Sequence, residues 1–505
     1  MTFLKLLTRF SILLYCIQGL FYVFQGAIHL DEASYLYASR AVVQGSLPYR
    51  DFFYLQPPLH PYIYGVIQSI QPGLLTGRLT SFVFGFLTLL LCASIASRIG
   101  GRTARALTVF LMAVHPFQIY FHSITRLYAL SGFWIALGLF FLIHDKRPGL
   151  LYGPLSLICL ALATGTRLTL APVLVLASLY LLVRATSLTV RVTACITSAL
   201  TLCVIFLPFV LSAGFDRLMF NLLGMNLSLH SRNPLASIVQ KLHATSQFCE
   251  YYFLLIALLI PPIILRIRAF RFTRLKLEID LLLSPEGLLW TILATQWTIH
   301  LSAKIYQVSY QTPIMPIGFI LAGVSWEHLT RTLPVNLKRI FAVLLMSGGL
   351  LSIVAYGRTS IGLVEGKPAR TALEEQVRFL SSHAPPGSDV FSADSSLVPY
   401  EAGMNVLKGM SGSDLFPDWT DEQCREYNVL NFNLMRHYII EQTADIVIYG
   451  DRSFTLSLPY LEPIPESVRS EFIATIERYY ERIGEFPNLI IPDSHTYYLE
   501  RKEMK

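Results

Sequence analysis

About eleven apolar segments of membrane-spanning length run along the chain, near residues 10–29, 79–97, 105–121, 127–143, 150–164, 168–183, 192–212, 250–265, 287–302, 311–326 and 339–356. Roughly 20 such residues in a helix cross the hydrocarbon of a bilayer, and lipid offers backbone groups no partner outside a helix or a closed barrel. The chain therefore reads as an α-helical polytopic membrane protein. Its 505 residues are 53% hydrophobic and 14% charged, against roughly a quarter charged in soluble proteins. Lys5 and Arg9 precede the first apolar run, but no small-residue cleavage pattern follows it. That run is read as a retained first helix rather than a signal peptide.

The net charge of +7 conceals an asymmetry. Residues 1–356 hold 26 Lys/Arg and ten Asp/Glu, whereas residues 357–505 hold 14 and 23. The change marks a boundary between a basic membrane domain, 1–356, and an acidic soluble domain, 357–505. It gives nucleic acid no place as a partner. With the N-terminus in the cytoplasm, seventeen Lys/Arg fall in inner loops and nine in outer ones, the bias that the positive-inside rule expects. An odd helix count then puts the C-terminal domain outside the cytoplasm. "SDVFSAD" (388–394), "ADIVIYG" (444–450) and "HTYYLE" (495–500) read as its strands. "REYNVLNFNLMRHYIIEQ" and "ESVRSEFIATIERYYERI" have helical spacing between them. The seven cysteines follow neither a metal-binding nor a disulfide spacing.

On that orientation the outer face has only five carboxylates before residue 357: Asp31, Glu32, Asp51, Asp216 and Glu250. The adjacent pair Asp31-Glu32 sits where the first span meets water, a place where ionisable groups are costly and usually functional. The same pair would also serve as an ordinary helix cap. Loop residues 48–65, "PYRDFFYLQPPLHPYIYG", are dense in aromatics and proline and contain Asp51 and Tyr54. Arg78, Arg126, Arg167 and Lys304 are outer-face cations close to helix ends. Arg78 fits equally a snorkelling interfacial arginine, and Arg167 a residue that holds its turn. His122 stands four residues before Arg126, on the same face of a helix that reaches so far. No Asp-x-Asp stands in an outer loop.

These pieces resemble the polyprenyl- or dolichyl-phosphate-sugar-dependent glycosyltransferases of the GT-C fold. That superfamily includes the protein O-mannosyltransferases, the lipid A aminoarabinose transferase and the lipopolysaccharide galacturonosyltransferases. The matching segments are "DE" with "YLYASR", "YRDFFYLQPPLHPYIYG", "GRLTSFVFGFLTLLL", "RLYALSGFW", "ATGTRLTLAP" and "YQTPIMPIGFILAG", over roughly residues 25–325. The resemblance implies inverting transfer of a sugar from a polyprenyl-phosphate donor to a glycan, lipid or protein acceptor at the extracytoplasmic face. It implies Asp31 as general base, with Glu32 as the second acid of the pair. Arg78, heading a second helix that opens at Leu79, then Lys304 and Arg126 are the implied donor-phosphate ligands. Asp51, Tyr54, His122, Arg167 and Tyr310 are further cavity candidates. No metal or other cofactor is expected, since a lipid-monophosphate donor does not oblige one. Leu55-Gln56 departs from the aminoarabinose subgroup, which carries an acid before its loop Lys-Pro. A flippase or transporter, and a polymerase or ligase using lipid diphosphates, are the rival readings. The chain shows no internal repeat of the kind that marks transporters.

Overall fold

The computed structural model describes residues 2–144, 148–225, 234–270, 283–303, 306–394, 396–410, 416, 418–455 and 463–503. The chain divides into two compact units: 1–23, 79–207 and 238–360 form the first; 24–78, 208–237 and 361–505 form the second.

Helices follow the apolar segments. They are α1 (Thr2–Gln25), α2 (Leu30–Val43), α3 (Leu59–Gln68), α4 (Leu74–Ala113), α5 (Pro116–Phe121), α6 (Leu127–Leu142), α7 (Tyr152–Thr166), α8 (Ala171–Arg184), α9 (Leu188–Ala213) and α10 (Phe215–Met219). A π-helical turn, Phe220–Gly224, precedes α11 (Pro234–Tyr251), α12 (Phe253–Phe270), α13 (Pro285–Ser302), α14 (Met315–Thr332) and α15 (Val335–Tyr356). Among the described residues α1, α4, α9 and α15 are long and apolar enough to cross a membrane, and α11–α12 form a further pair bent by 83°. The chain is thus a helical membrane protein. One boundary differs from the sequence expectation. The second helix opens at Leu74 rather than Leu79, so Arg78 lies inside its first turns. This helix also runs through both the 79–97 and most of the 105–121 segments, broken only at Gly101, whose φ of 78° suits glycine alone.

Small residues let the helices of the first unit approach one another, as in other membrane bundles. A Cβ on Gly323 of α14 would lie 2.7 Å from the Ala104 carbonyl oxygen of α4, and one on Gly138 of α6 would lie 2.7 Å from Leu160 of α7. Beside α5, a hydrogen-bonded chain crosses the bundle. Tyr15 Oη contacts His122 Nδ1 at 2.8 Å, and His122 Nε2 contacts Gln118 Nε2 at 2.7 Å. Gln118 in turn accepts from Tyr252 Oη at 2.7 Å and donates to the Thr312 carbonyl at 3.0 Å. If the Gln118 amide donates to Nε2, the proton of His122 sits on Nδ1 and points at Tyr15.

In the second unit a five-stranded sheet has the order β4-β3-β5-β7-β6. Its strands are β3 (Asp389–Ser392), β4 (Asn405–Val406), β5 (Ile446–Gly450), β6 (Tyr480–Pro487) and β7 (His495–Arg501). A short antiparallel pair, β1 (Leu363–Val364) and β2 (Lys367–Pro368), precedes them. β4, β3 and β5 are parallel, while β7 and β6 continue the sheet antiparallel. The helices are α16 (Ala369–His383), α17 (Leu397–Glu401), α18 (Asp421–Tyr427), α19 (Phe432–Ile440) and α20 (Glu466–Tyr479). β5 is buried along its whole length. Its side chains alternate between two cores, as strand geometry requires: Ile446 and Ile448 face one, Val447 and Tyr449 the other. The first of these cores also contains Ile28, Ala33, Leu36 and Tyr37. Helix α2 therefore folds as part of the C-terminal sheet's own interior.

Two tail segments depart from the expected helices. The run 425–442 splits because Asn428 adopts φ 57°, and Asn431 then caps α19 by accepting from the Leu434 N–H at 2.8 Å. Residues 480–483, read as the end of a helix, pair with β7 instead.

His122 makes a packing prediction in the first unit. A Cβ on Gly85 would lie 2.5 Å from His122 Cβ and 3.0 Å from Tyr15 Oη, whereas one on Gly149 would meet nothing within 4 Å. Gly85→Ala is expected to cost on the order of 1–3 kcal/mol, and Gly149→Ala nothing measurable. Thermal unfolding of the detergent-solubilised variants reads the difference.

Candidate active site

Asp31 stands in the first turn of α2. His29 caps this helix by accepting from the Asp31 N–H at 3.2 Å, while the Glu32 carboxylate turns back to accept from the His29 N–H at 3.0 Å. This reciprocal box satisfies two of the donors that a helix start leaves open. The Asp31 side chain is 39% exposed, 4.0 Å from His29 Nδ1. Its neighbour is the opposite case. Glu32 is fully buried and receives both Nε (2.9 Å) and Nη2 (2.6 Å) of Arg78.

Arg78 is itself 2% exposed. Its remaining donors reach the carbonyls of Gly26, at 3.0 Å from Nη1, and Ala27, at 2.9 Å from Nη2. The arginine ranked first for a phosphate thus spends its planar fork on a carboxylate and two backbone oxygens. Such a bidentate pair fixes both orientation and distance.

The loop between α2 and α3 places the other two candidates of this unit. Arg50 donates to both oxygens of Asp51 (2.9 and 2.8 Å), and the Leu47 N–H adds a bond of 2.7 Å. The arginine holds the Asp51 carboxyl below its usual range. Tyr54 is buried; its N–H donates to Asn221 Oδ1 at 3.2 Å, and its hydroxyl has no hydrogen-bond partner among the described residues. Its ring lies edge-on to Tyr35 at 6.5 Å, and Tyr35 packs at 4.9 Å on His60. His60 is fully buried and stacked on Tyr64 at 4.1 Å, with neither ring nitrogen hydrogen-bonded among the described residues. Burial drives its pKa down to about 3. Sequence reasoning passed over Tyr35 and His60, although Tyr35 is four residues after Asp31 and so shares its helix face.

The remaining candidates belong to the helical unit. Arg126 precedes α6 and Arg167 follows α7. Their guanidinium carbons lie 4.7 and 5.1 Å from the centre of the Tyr128 ring. Arg167 also lies 4.8 Å from the Tyr310 ring, and its Nε donates to Thr169 Oγ1 at 3.0 Å. Tyr128 is held by a 3.1 Å hydrogen bond to Ser309. Both arginines are almost fully buried, at 5% and 6% exposed. Arg167 has no acidic partner among the described residues, and its Nη1 makes no hydrogen bond there. Aromatic faces attract a cation but neutralise none of its charge. A buried guanidinium in this position asks for an anion. His122, with both ring nitrogens engaged, is a member of the bundle's internal network instead. Lys304 lies outside the described residues. Among them, no three His, Cys, Asp or Glu side chains are grouped to hold a metal.

No family model matches the sequence, and no curated protein matches it. Solved structures do. The crystal structure of apo ArnT from Cupriavidus metallidurans superposes with a TM-score of 0.64 at 13% identity, covering 99% of this chain and 97% of that one. The same protein bound to undecaprenyl phosphate gives 0.64 at 12% identity, covering 99% and 98%. The chain has the GT-C fold. A third GT-C structure, the arabinofuranosyltransferase AftD from Mycobacteria, gives a TM-score of 0.50 at 13% identity, covering 99% of this chain but 40% of AftD.

Two predictions follow from the second unit's buried groups. Arg78→Ala or Glu32→Ala strands a buried charge and is expected to cost about 3–5 kcal/mol. The double variant Glu32→Leu/Arg78→Met should regain most of that loss in thermal unfolding. For His60 the folded state resists a proton that the unfolded chain accepts near pH 6.5. Stability is therefore complete above that value and declines as pH falls toward 3, by at most about 1.4 kcal/mol per unit. His60→Phe should flatten this acid limb; an unchanged slope would assign it to other groups.

Proposed function

We propose that this chain is an inverting glycosyltransferase. It would move a sugar from a polyprenyl-phosphate carrier to a hydroxyl of a glycan, lipid or protein acceptor on the extracytoplasmic face. The observation that carries this reading is Arg167, a buried guanidinium beside Arg126 without an acidic partner among the described residues. An anionic phosphate on a lipid meets that demand, and the same fold in ArnT is found bound to undecaprenyl phosphate.

The chemistry is assigned residue by residue. Asp31, exposed at the start of α2, takes the acceptor hydroxyl proton as that oxygen attacks the anomeric carbon from the side opposite the phosphate. The bond from carbon to phosphate oxygen breaks as the new glycosidic bond forms. The electron pair leaves with the polyprenyl phosphate, whose growing charge Arg126 and Arg167 stabilise. Lys304 is a third cation for the same phosphate. Glu32 and Arg78 act at one remove: locked to each other, they set the first turn of α2 and hence the direction of Asp31. Tyr310 shapes the Arg167 pocket, and Tyr54 with Asp51 shapes the loop beyond α2. No step calls for a metal. In the membrane we place the N-terminus in the cytoplasm, about eleven spans, and the 357–505 domain outside, on the loop-charge bias.

Purified protein in lipid nanodiscs, given radiolabelled polyprenyl-phosphate sugars and envelope glycolipids, tests the assignment. The expected result is consumption of the monophosphate donor, insensitive to a chelator. Asp31→Asn should lower kcat by about 10²-fold or more without changing the melting temperature, and Arg167→Ala should lower it by roughly 10²–10³-fold. Full activity of Asp31→Asn would refute the base. Consumption of a lipid diphosphate alone, or flipping without transfer, would establish one of the rival readings.

A further inference from the structure

Four side chains of the second unit close a loop around the helix that carries Asp31. On its first turn, Glu32 of α2 holds Arg78 of α4. The N-terminus of α4 is held in turn from the sheet side: Glu401, at the end of α17, accepts from the Leu74 N–H at 2.6 Å. The chain reaches that point through Gly73, with φ 143°, where a Cβ would lie 3.7 Å from both oxygens of Glu401. The preceding residue of α17 returns to α2. Arg40, in the last turn of α2, donates Nη2 to the Tyr400 carbonyl at 2.7 Å and Nη1 to the Met404 carbonyl at 3.2 Å. Its guanidinium carbon also lies 3.8 Å from the centre of the Tyr400 ring. Tyr400 packs edge-on against Tyr37 of α2 at 5.1 Å, and its hydroxyl donates to Gln68 Oε1 at 3.1 Å. Gln68 in turn brackets Gly73, accepting from its N–H at 2.8 Å and donating to its carbonyl at 3.0 Å.

The circuit runs α2, Arg78, α4, Glu401, α17, Arg40 and back to α2. Each link has an ionised donor or acceptor, the stronger kind of hydrogen bond. α2 is held at both ends, so turning it relative to α4 breaks a link at each. Burial alone would have fixed α2 against the sheet with apolar side chains; Ile28, Ala33, Leu36 and Tyr37 already do that. The charged links add direction. Glu401 belongs to the same circuit electrostatically: burial raises its carboxyl above the ordinary value, against the pull of the Leu74 N–H, Arg40, Arg370 and Arg78.

We infer that Arg40, Tyr400 and Glu401 are positioning residues for Asp31, so that the C-terminal sheet domain is a working part of the catalytic machinery. The inference rests on Asp31 being the general base. A reacting oxygen displaced by about 1 Å can cost on the order of 10²-fold in rate, so loosening one link should be read in kcat.

The test uses the full chain in nanodiscs with donor and acceptor, measuring kcat, both KM values, the kcat–pH profile and the melting temperature. Glu401→Ala and Arg40→Ala should each lower kcat by about tenfold or more, leave both KM values within about twofold, and displace the acid limb of the kcat–pH profile. Glu401→Gln keeps an acceptor for the Leu74 N–H and should restore most of kcat. A purely structural role would lower the melting temperature while leaving kcat per folded molecule and the pH profile unchanged, which overturns the inference. Asp31→Asn is assayed alongside. If it is active, the base assignment has failed; if it is inactive while Glu401→Ala and Arg40→Ala keep wild-type kcat, the positioning role alone has failed.

Discussion

A carboxylate and a guanidinium buried almost completely, Glu32 and Arg78, are the constraint on which the second unit depends. Removing two charges from water is expensive, and their attraction recovers that cost only with near-ideal geometry and every other donor satisfied. The structure supplies a bidentate pairing and backbone acceptors for both terminal nitrogens of the arginine. Two nitrogens of Arg78 meet the two carboxylate oxygens, and Nη1 and Nη2 take the carbonyls of Gly26 and Ala27. The same carboxylate completes the cap of α2. A hydrophobic pair of equal volume would have filled the space without aiming anything. What the ion pair contributes is orientation, at the one turn of helix where the candidate base projects.

The helical unit solves a different electrostatic problem. Arg126 and Arg167 both lie close to the Tyr128 ring, two like charges about one aromatic group. The ring quadrupole and the Ser309 hydroxyl give this arrangement polarity without opposite charge. Elsewhere in the bundle one buried polar chain, through Tyr15, His122, Gln118 and Tyr252, is closed internally by hydrogen bonds. What sets Arg167 apart is a buried full charge that, among the described residues, meets a hydroxyl and two aromatic rings and no carboxylate.

Much of this was legible in the amino acids, and the limits have physical causes. Apolar runs declared the helices, because lipid leaves the backbone no alternative. Asp31-Glu32 drew attention as charge at a span's end. Yet adjacent acids look alike in a sequence, and nothing local says that one faces outward while the other turns back to an arginine 46 residues away. Arg78 looked available for the same reason. Arg167 read equally as a turn-holder because the rings beside it come from Tyr128 and Tyr310, on other helices. In the tail, "ERYYERI" has helical spacing, but pairing with β7 outweighs local preference from Tyr480 onward. Asn428 ended a helix that the apolar pattern alone would have continued.

The core shared by α2 and the sheet has a temporal side. Arg40 and Tyr400 are 360 residues apart in the chain. At translation rates of about 5–20 residues per second, the segment bearing Asp31 emerges roughly 20–70 s before the strands that complete its interior. For that interval Leu36 and Tyr37 have no sheet to cover them. A chain cut before Asp389 would carry the apolar face of α2 without the strands that cover it.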